Sequence, residues 1–208
     1  MAMKRFPITN VEGDLVAQHR DPDEKLYASL ELNQVAFPKT GMVVSQTPLG
    51  PKFVAKGENV YGVCENGMWV VADKAAGIID APAAATDSPI GIVYTTEKEY
   101  DMMHYGLQRF GRKVAGDYPR VGILGLGDTV TTNCLQYDTT HFANDAALEA
   151  ALNDLAANPL YVGIKAGSPV PQIFKEANKP ASGILAKIVK YYTIPNGGKG
   201  VKYQIVRL

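Results

Sequence analysis

Cys134 lies seven residues before His141, with Asp138 between them. A thiol, an imidazole and a carboxylate are the parts of a cysteine hydrolase, in which the imidazole takes the thiol proton and the thiolate attacks a carbonyl carbon. Catalytic pairs meet through the fold, so nearness in sequence is no support. A free cysteine in a β-rich chain is ordinarily a small apolar filler. The second cysteine is Cys64, and two cysteines alone make neither a disulfide framework nor a zinc site. His19, His104 and His141 show no His-x-x-x-His or His-x-His spacing, and there is no Cys-x-x-Cys, so zinc would need ligands from unrelated loops. Gly122, Gly125 and Gly127 invite comparison with a dinucleotide loop, but Val130 stands where its third glycine belongs. The P-loop lysine is missing and no helix signal comes after to offer its N-terminus to a phosphate, so these read as glycines at bends of a twisted sheet. No Gly-x-Ser-x-Gly elbow occurs. Asp21-Pro22-Asp23-Glu24 lacks the further ligands of a calcium loop and reads as a solvated turn. Trp69, Tyr61 and Tyr191-Tyr192 have the faces to stack on a sugar or a base, but in strands such rings normally pack cross-strand. The expectation is no catalytic residue, no cofactor and no metal.

The bulk composition narrows the classes further. The 208 residues carry 21 Lys plus Arg against 21 Asp plus Glu, a formal charge of zero. That balance argues against bare nucleic acid or an anionic membrane as the main partner. With 46% hydrophobic and 20% charged residues the chain is globular. Gly 20 and Pro 13 make up about 16% of it, against about 12% in an average chain, which favours short strands and many turns over a helical bundle. No apolar stretch approaches the ~20 residues of a membrane helix. Met1 to Pro7 has two basic residues and no apolar run after them, so a soluble protein without a signal peptide is expected.

The elements that would position any site fall into two parts. Residues 1–40 mix Glu12, Asp14, Arg20, Asp21, Asp23, Glu24 and Lys25 with few large apolar groups. Such a segment cannot offset its own ordering entropy, so it either packs on the body or orders on a partner. A short helix over 23–34 is compatible with Leu26, Leu30 and Gln34. From Gly41 the chain turns to short β-type runs, with turn residues about every ten positions, the rhythm of a sandwich or barrel. Asn66-Gly67, between Val60–Cys64 and Met68–Ala72, is the strongest local hairpin signal. Ile90 to Thr95 is another strand, preceded by the proline-bounded loop 81–89. Thr96-x-x-Glu99 offers a capping box, and the run from Tyr100 to Gly111 is equally compatible with a short helix and with an irregular linker. Val121 to Thr132 reads as strand, turn, strand. Asn144 caps a helix that presents Leu148, Leu152 and Leu155 as one stripe and stops at Asn158-Pro159. Ile184–Ile194 and Val201–Leu208 form a closing hairpin. Gly57, Glu58, Val60 and Cys64 are echoed 70 residues on by Gly127, Asp128, Val130 and Cys134, the pattern that a duplicated module or chance would leave. The fold class expected is mainly β (α+β): a sandwich or barrel-like body of short antiparallel strands over 41–208, one short helix near 144–156, and an extended arm over 1–40. The body has room for two small modules, 41–95 and 118–208.

Tyr118-Pro119-Arg120-Val121-Gly122-Ile123-Leu124 runs into Gly127-Asp128-Thr129-Val130-Thr131-Thr132-Asn133, followed by the Ala-rich 145–152 helix and Tyr161-Val162-Gly163. This succession, with the Asn66–Val70 and Ile90–Tyr94 strands before it, resembles structural proteins of tailed-bacteriophage virions of the capsid decoration, cement or head-fibre type. The likeness spans about half the chain and carries no catalytic signature. It implies a non-enzymatic virion protein that binds the major capsid protein and copies of itself on the head, without nucleic acid or membrane. The arm would do the docking, with Phe6, Ile8, Leu15, Tyr27 and Leu30 as its apolar anchors. Within structural proteins the alternative is a tail, neck or baseplate component. From another class, it is a small carbohydrate-binding module or hydrolase using Trp69 and surface tyrosines.

Overall fold

The structure, a computed structural model, describes residues 3–6, 43–54, 61–73, 75–94, 114–193 and 199–208. Their fold is mainly β, as expected. Twelve strands form two sheets among these residues. The strands are β1 (Met3–Arg5), β2 (Val43–Val44), β3 (Trp69–Asp73), β4 (Ile78–Asp80), β5 (Gly91–Val93), β6 (Val121–Ile123), β7 (Thr129–Thr132), β8 (Gln136–Asp138), β9 (Leu160–Gly163), β10 (Gln172–Lys175), β11 (Leu185–Thr193) and β12 (Lys199–Arg207). One sheet has the order β1-β8-β10-β9-β11-β12-β7, the other β2-β6-β5-β3-β4. Every pairing is antiparallel except β10 with β8.

The two sheets bury their residues differently, and the sequence patterns explain why. β11 and β12 alternate: Ala186, Ile188, Val201, Tyr203 and Ile205 enter the main core, while Lys187 and Gln204 stay outside. The smaller sheet is buried on both faces. Trp69 and Ile92 face the main core against the larger sheet, whereas their neighbours Met68, Val70 and Val93 enter a second core with Leu49, Phe53, Cys64, Val121, Cys134 and Val170. A strand covered on both sides needs an unbroken apolar run, which is what Met68-Trp69-Val70-Val71 supplies.

Several expected elements appear where the residues placed them. The helix α1 spans Asp145–Asn153, and the Asn144 side chain accepts from the Ala147 N–H at 2.9 Å. Leu148 and Leu152 are fully buried, each contributing about 1.5–3 kcal/mol, and Leu155 packs beside them. The closing hairpin is β11–β12, with register shifts at Leu185/Ala186 and Ile188/Lys190.

Three expectations are corrected. Asn66-Gly67 does form a turn, with Gly67 at φ +93°, but it does not join two paired strands. Gly67 N–H donates to the Val93 carbonyl, and the edges of β3 are taken by β5 and β4. Strand–turn–strand over 121–132 holds locally, yet β6 and β7 lie in different sheets. Leu124 N–H still bonds Ile90 in the smaller sheet, whereas Gly127 N–H already donates to Ile205 of β12. The Asp128 carboxylate tightens this step by accepting from the Gly125 N–H at 2.6 Å. The division into modules 41–95 and 118–208 is crossed by the same step, since β6 completes the sheet of β2 to β5.

The third correction concerns the N-terminus. Met3, Lys4 and Arg5 pair with Asp138, Tyr137 and Gln136, and the Phe6 N–H donates to the Leu135 carbonyl at 2.8 Å. The Phe6 ring is 1% exposed and meets Tyr191 edge-on at 6.3 Å, so this anchor sits in the protein's own core. Ile8, Leu15, Tyr27, Leu30, the helix expected over 23–34 and the capping box at Thr96 lie outside the described residues.

Two ion pairs hold β1 in place. Arg5 meets Glu65 at 3.0 Å, and Lys4 meets Asp145 of α1 at 2.8 Å. The hydrogen bond from Lys4, and then that from Tyr137, hold the Asp145 carboxyl below its ordinary range. A carboxyl depressed in the folded state stabilises above its unfolded value, about 3.9, and that contribution is lost as pH falls through the folded value. Asp145 is partly exposed, so water screens the pair. Asp145→Asn should cost about 0.5–1 kcal/mol at pH 7, charge-pair and helix-dipole effects together. In urea unfolding the cost should shrink as pH falls below about 3.9 and through the folded value; a cost that does not change with pH would show that the charge contributes nothing.

Candidate interaction surface

Among the described residues, the two thiols are enclosed. Cys64 and Cys134 are buried thiols, not joined in a disulfide. Burial pushes the Cys134 thiol up to about 12, with Arg5 opposing and Glu65 adding. At neutral pH it is a thiol, which neither attacks nor binds metal readily. Asp138 is occupied by its own turn, accepting from the Thr140 N–H at 2.9 Å and hydroxyl at 2.8 Å. The thiol thus belongs to the second core, as a filler, and the carboxylate to a turn. His19, His104 and Asp21 to Glu24 lie outside the described residues, and Gly125 to Asp128 is the turn that changes sheets.

Trp69 is corrected as a sugar platform. It is 1% exposed, its ring meets Tyr203 edge-on at 5.9 Å, and its Nε1–H donates to the Tyr203 hydroxyl at 2.9 Å. Burial raises the Tyr203 hydroxyl well above the usual tyrosine range. This bond joins the two sheets through their shared core. Tyr203→Phe leaves the indole N–H without that acceptor and should cost about 1–3 kcal/mol, read as a lower urea midpoint at unchanged slope. No change in midpoint would show that the bond adds nothing to the joint.

What the fold does present is the outer face of the larger sheet. The register lays Phe174, Tyr161, Lys187, Gln204 and Thr129 in one row across β10, β9, β11, β12 and β7. A second row has Lys190 directly opposite Lys202, which is opposite Thr131. Lys187, Val189, Lys190, Gln204 and Val206 are exposed. The bulge between Ile188 and Lys190 adds Val189 to this surface, half-exposed beside the lysines. Lysine Nζ atoms lie over rings: Lys190 over Tyr192 at 4.8 Å and Lys179 over Tyr161 at 4.5 Å. Tyr192 in turn donates to the Thr131 hydroxyl at 3.2 Å, fixing the aromatic edge of the patch. Glu176 pairs with Lys179, which holds its carboxyl below the ordinary range.

At one end the face is rigid. Arg207 donates to the carbonyls of Gly183, Pro180 and Ser182, clamping the 180–183 loop. Pro180 and Phe174 close over Gly163, whose hydrogen leaves them room at 3.3 Å from where a Cβ would stand.

Of the five residues expected to contact a partner, Phe6 is the one within the described residues, and it lies in the core, away from this face. The face itself was missed. Its signal was present in the lysines that alternate with apolar residues along 185–190 and 201–206, a pattern that marks a buried side and an exposed side equally. No protein-family model, no curated protein and no solved structure matches the chain.

Proposed function

We propose that the chain is a non-enzymatic structural protein of a tailed-phage virion, a decoration or cement protein bound to the major capsid protein on the outer surface of the head. The reading rests on the likeness of the 118–163 succession to such proteins, on the doubly packed β body, and above all on Lys190 standing opposite Lys202 with Lys187 one row away. A carboxylate-bearing surface is drawn to the exposed Lys187 and Lys190. Val189 and Val206 lie among these charges as apolar contacts. Trp69 and Cys134 serve the core, so a carbohydrate module or hydrolase would have to work through its surface tyrosines instead.

The test is sedimentation with purified particles. Lys187→Glu with Lys190→Glu should weaken attachment to heads by about tenfold or more, about 1.4 kcal/mol, and raising salt should weaken the unmodified protein likewise. Both substitutions are exposed, so the melting temperature should hold within a few degrees. Equal attachment by the double variant rejects this docking face. Attachment to tails alone moves the protein to a neck, tail or baseplate, and no attachment to any particle rejects the virion reading.

A further inference from the structure

β11 outruns its neighbour on one side. β12 pairs with it from Leu185 to Thr193, whereas β9 pairs with it over Leu185–Lys187 alone. β9 stops there for a covalent reason: it begins at Leu160, and the residue before, Pro159, has no N–H to extend the ladder. Among the described residues no other strand takes the place beside Ile188 to Thr193. The direction of the main chain in this stretch follows from β12. Ile205 turns its N–H and C=O toward β7, donating to the Asp128 carbonyl and accepting from the Gly127 N–H. Residues of a strand alternate in this respect, so Lys202 and Gly200 face β11 and meet Lys190 and Tyr192. Tyr191 and Thr193 therefore turn their N–H and C=O groups to the open edge, two successive rungs that no described residue fills.

The side chains along the edge select what fits it. On the outer face an added strand would lie beside Lys187, Val189 and Lys190, all exposed. On the inner face it would lie beside Tyr191, which packs on the main core and meets Phe6 edge-on. Residues 160–208 hold seven Lys and one Arg against Glu176 alone, so this part of the molecule favours carboxylates. Lysines and a bulge, such as that between Ile188 and Lys190, keep two like edges from pairing. The same lysines admit a strand of opposite charge, which makes the repulsion a source of specificity.

We propose that the β11 edge takes an extended strand from the docking partner, one that alternates carboxylate and apolar residues. Its carboxylates lie outward against Lys187 and Lys190, and its apolar residues lie inward beside Tyr191. Main-chain bonds to Tyr191 and Thr193 supply affinity, and the alternating side chains supply specificity. The inference rests on the docking reading for the source of the strand, while the edge and its chemistry belong to this chain.

The probe is a peptide of about six residues, a usual strand length, alternating valine and glutamate. Added to the full chain, it should bind saturably and slow amide hydrogen exchange at Tyr191 and Thr193. Lys190→Glu should weaken it about tenfold or more. Two further peptides carry N-methyl groups on alternate amides, one on its valines and the other on its glutamates. An added strand bonds through every second N–H, so one of the two should bind about tenfold or more weaker and the other like the parent. This pair is read on the unmodified chain, so it decides the matter even if Lys190→Glu folds poorly. Equal binding of the two, or no binding of the parent, overturns strand addition. So do Tyr191 and Thr193 amides already slow in the free chain, because the edge would then be filled. A difference between the two with no attachment to any particle upholds the strand and rejects only its virion source. Attachment to heads without that difference does the reverse.

Discussion

Replacing Gly67 with valine is expected to lower stability by about 2–6 kcal/mol, the sum of two separate costs. At φ +93° a β-branched residue carries backbone strain of about 1–3 kcal/mol. Independently, a Cβ at this position would stand 2.6 Å from the Cys134 Cβ and 2.7 Å from the Thr132 Oγ1. Both neighbours are fully buried, and Thr132 Oγ1 is engaged by the Cys134 N–H at 2.9 Å. Forcing extra methyl groups into such a packed site costs about 1–3 kcal/mol more. Gly77 separates the two contributions, since it has φ +66° and nothing within 4 Å of the place of its Cβ. Gly77→Ala should therefore show strain alone, and Gly67→Ala should cost clearly more in urea unfolding. Equal costs for the two alanines would mean that the approach of Gly67 to Cys134 does not constrain the fold.

Phe6→Ala should cost about 3–5 kcal/mol, the range for emptying a buried aromatic site. For a chain of this length that is a fall of roughly 10 °C or more in melting temperature. The ring is 1% exposed and belongs to the main core with Tyr137, Phe142 and Leu148. Lys4→Ala removes only the half-exposed pair with Asp145, so it should lower the melting temperature by no more than a small fraction of that. A Phe6→Ala protein that melts like the unmodified one would return residues 3–6 to a docking arm. The same comparison bears on truncation: a chain beginning at residue 41 lacks β1 and its aromatic, so it should melt well below the full protein.

Residue type and period alone carried the mainly β class, α1 and the closing hairpin. Each rests on contacts a few residues apart: Asn144 with Ala147, the Leu148–Leu152 stripe, the alternation of Val201, Tyr203 and Ile205. The positive φ of Gly67 was legible for the same reason, since a turn is a property of its own four residues. Its partners were not. Both edges of β3 went to β5 and β4, and Gly67 came against Cys134, because pairing and close approach are settled by residues far away in the chain. The step from β6 to β7 looks like a hairpin locally, and only hydrogen bonds to Ile90 on one side and Ile205 on the other reveal that it changes sheets. Trp69 and Cys134 read as packing and filler by residue type, and burial and the Tyr203 hydroxyl assigned them to the core. Phe6 sits in a short, charged, proline-interrupted segment that no periodicity marks as a strand. It is core because the β8 edge leaves backbone groups to pair and an aromatic-sized space beside Tyr191, and both are features of the assembled body.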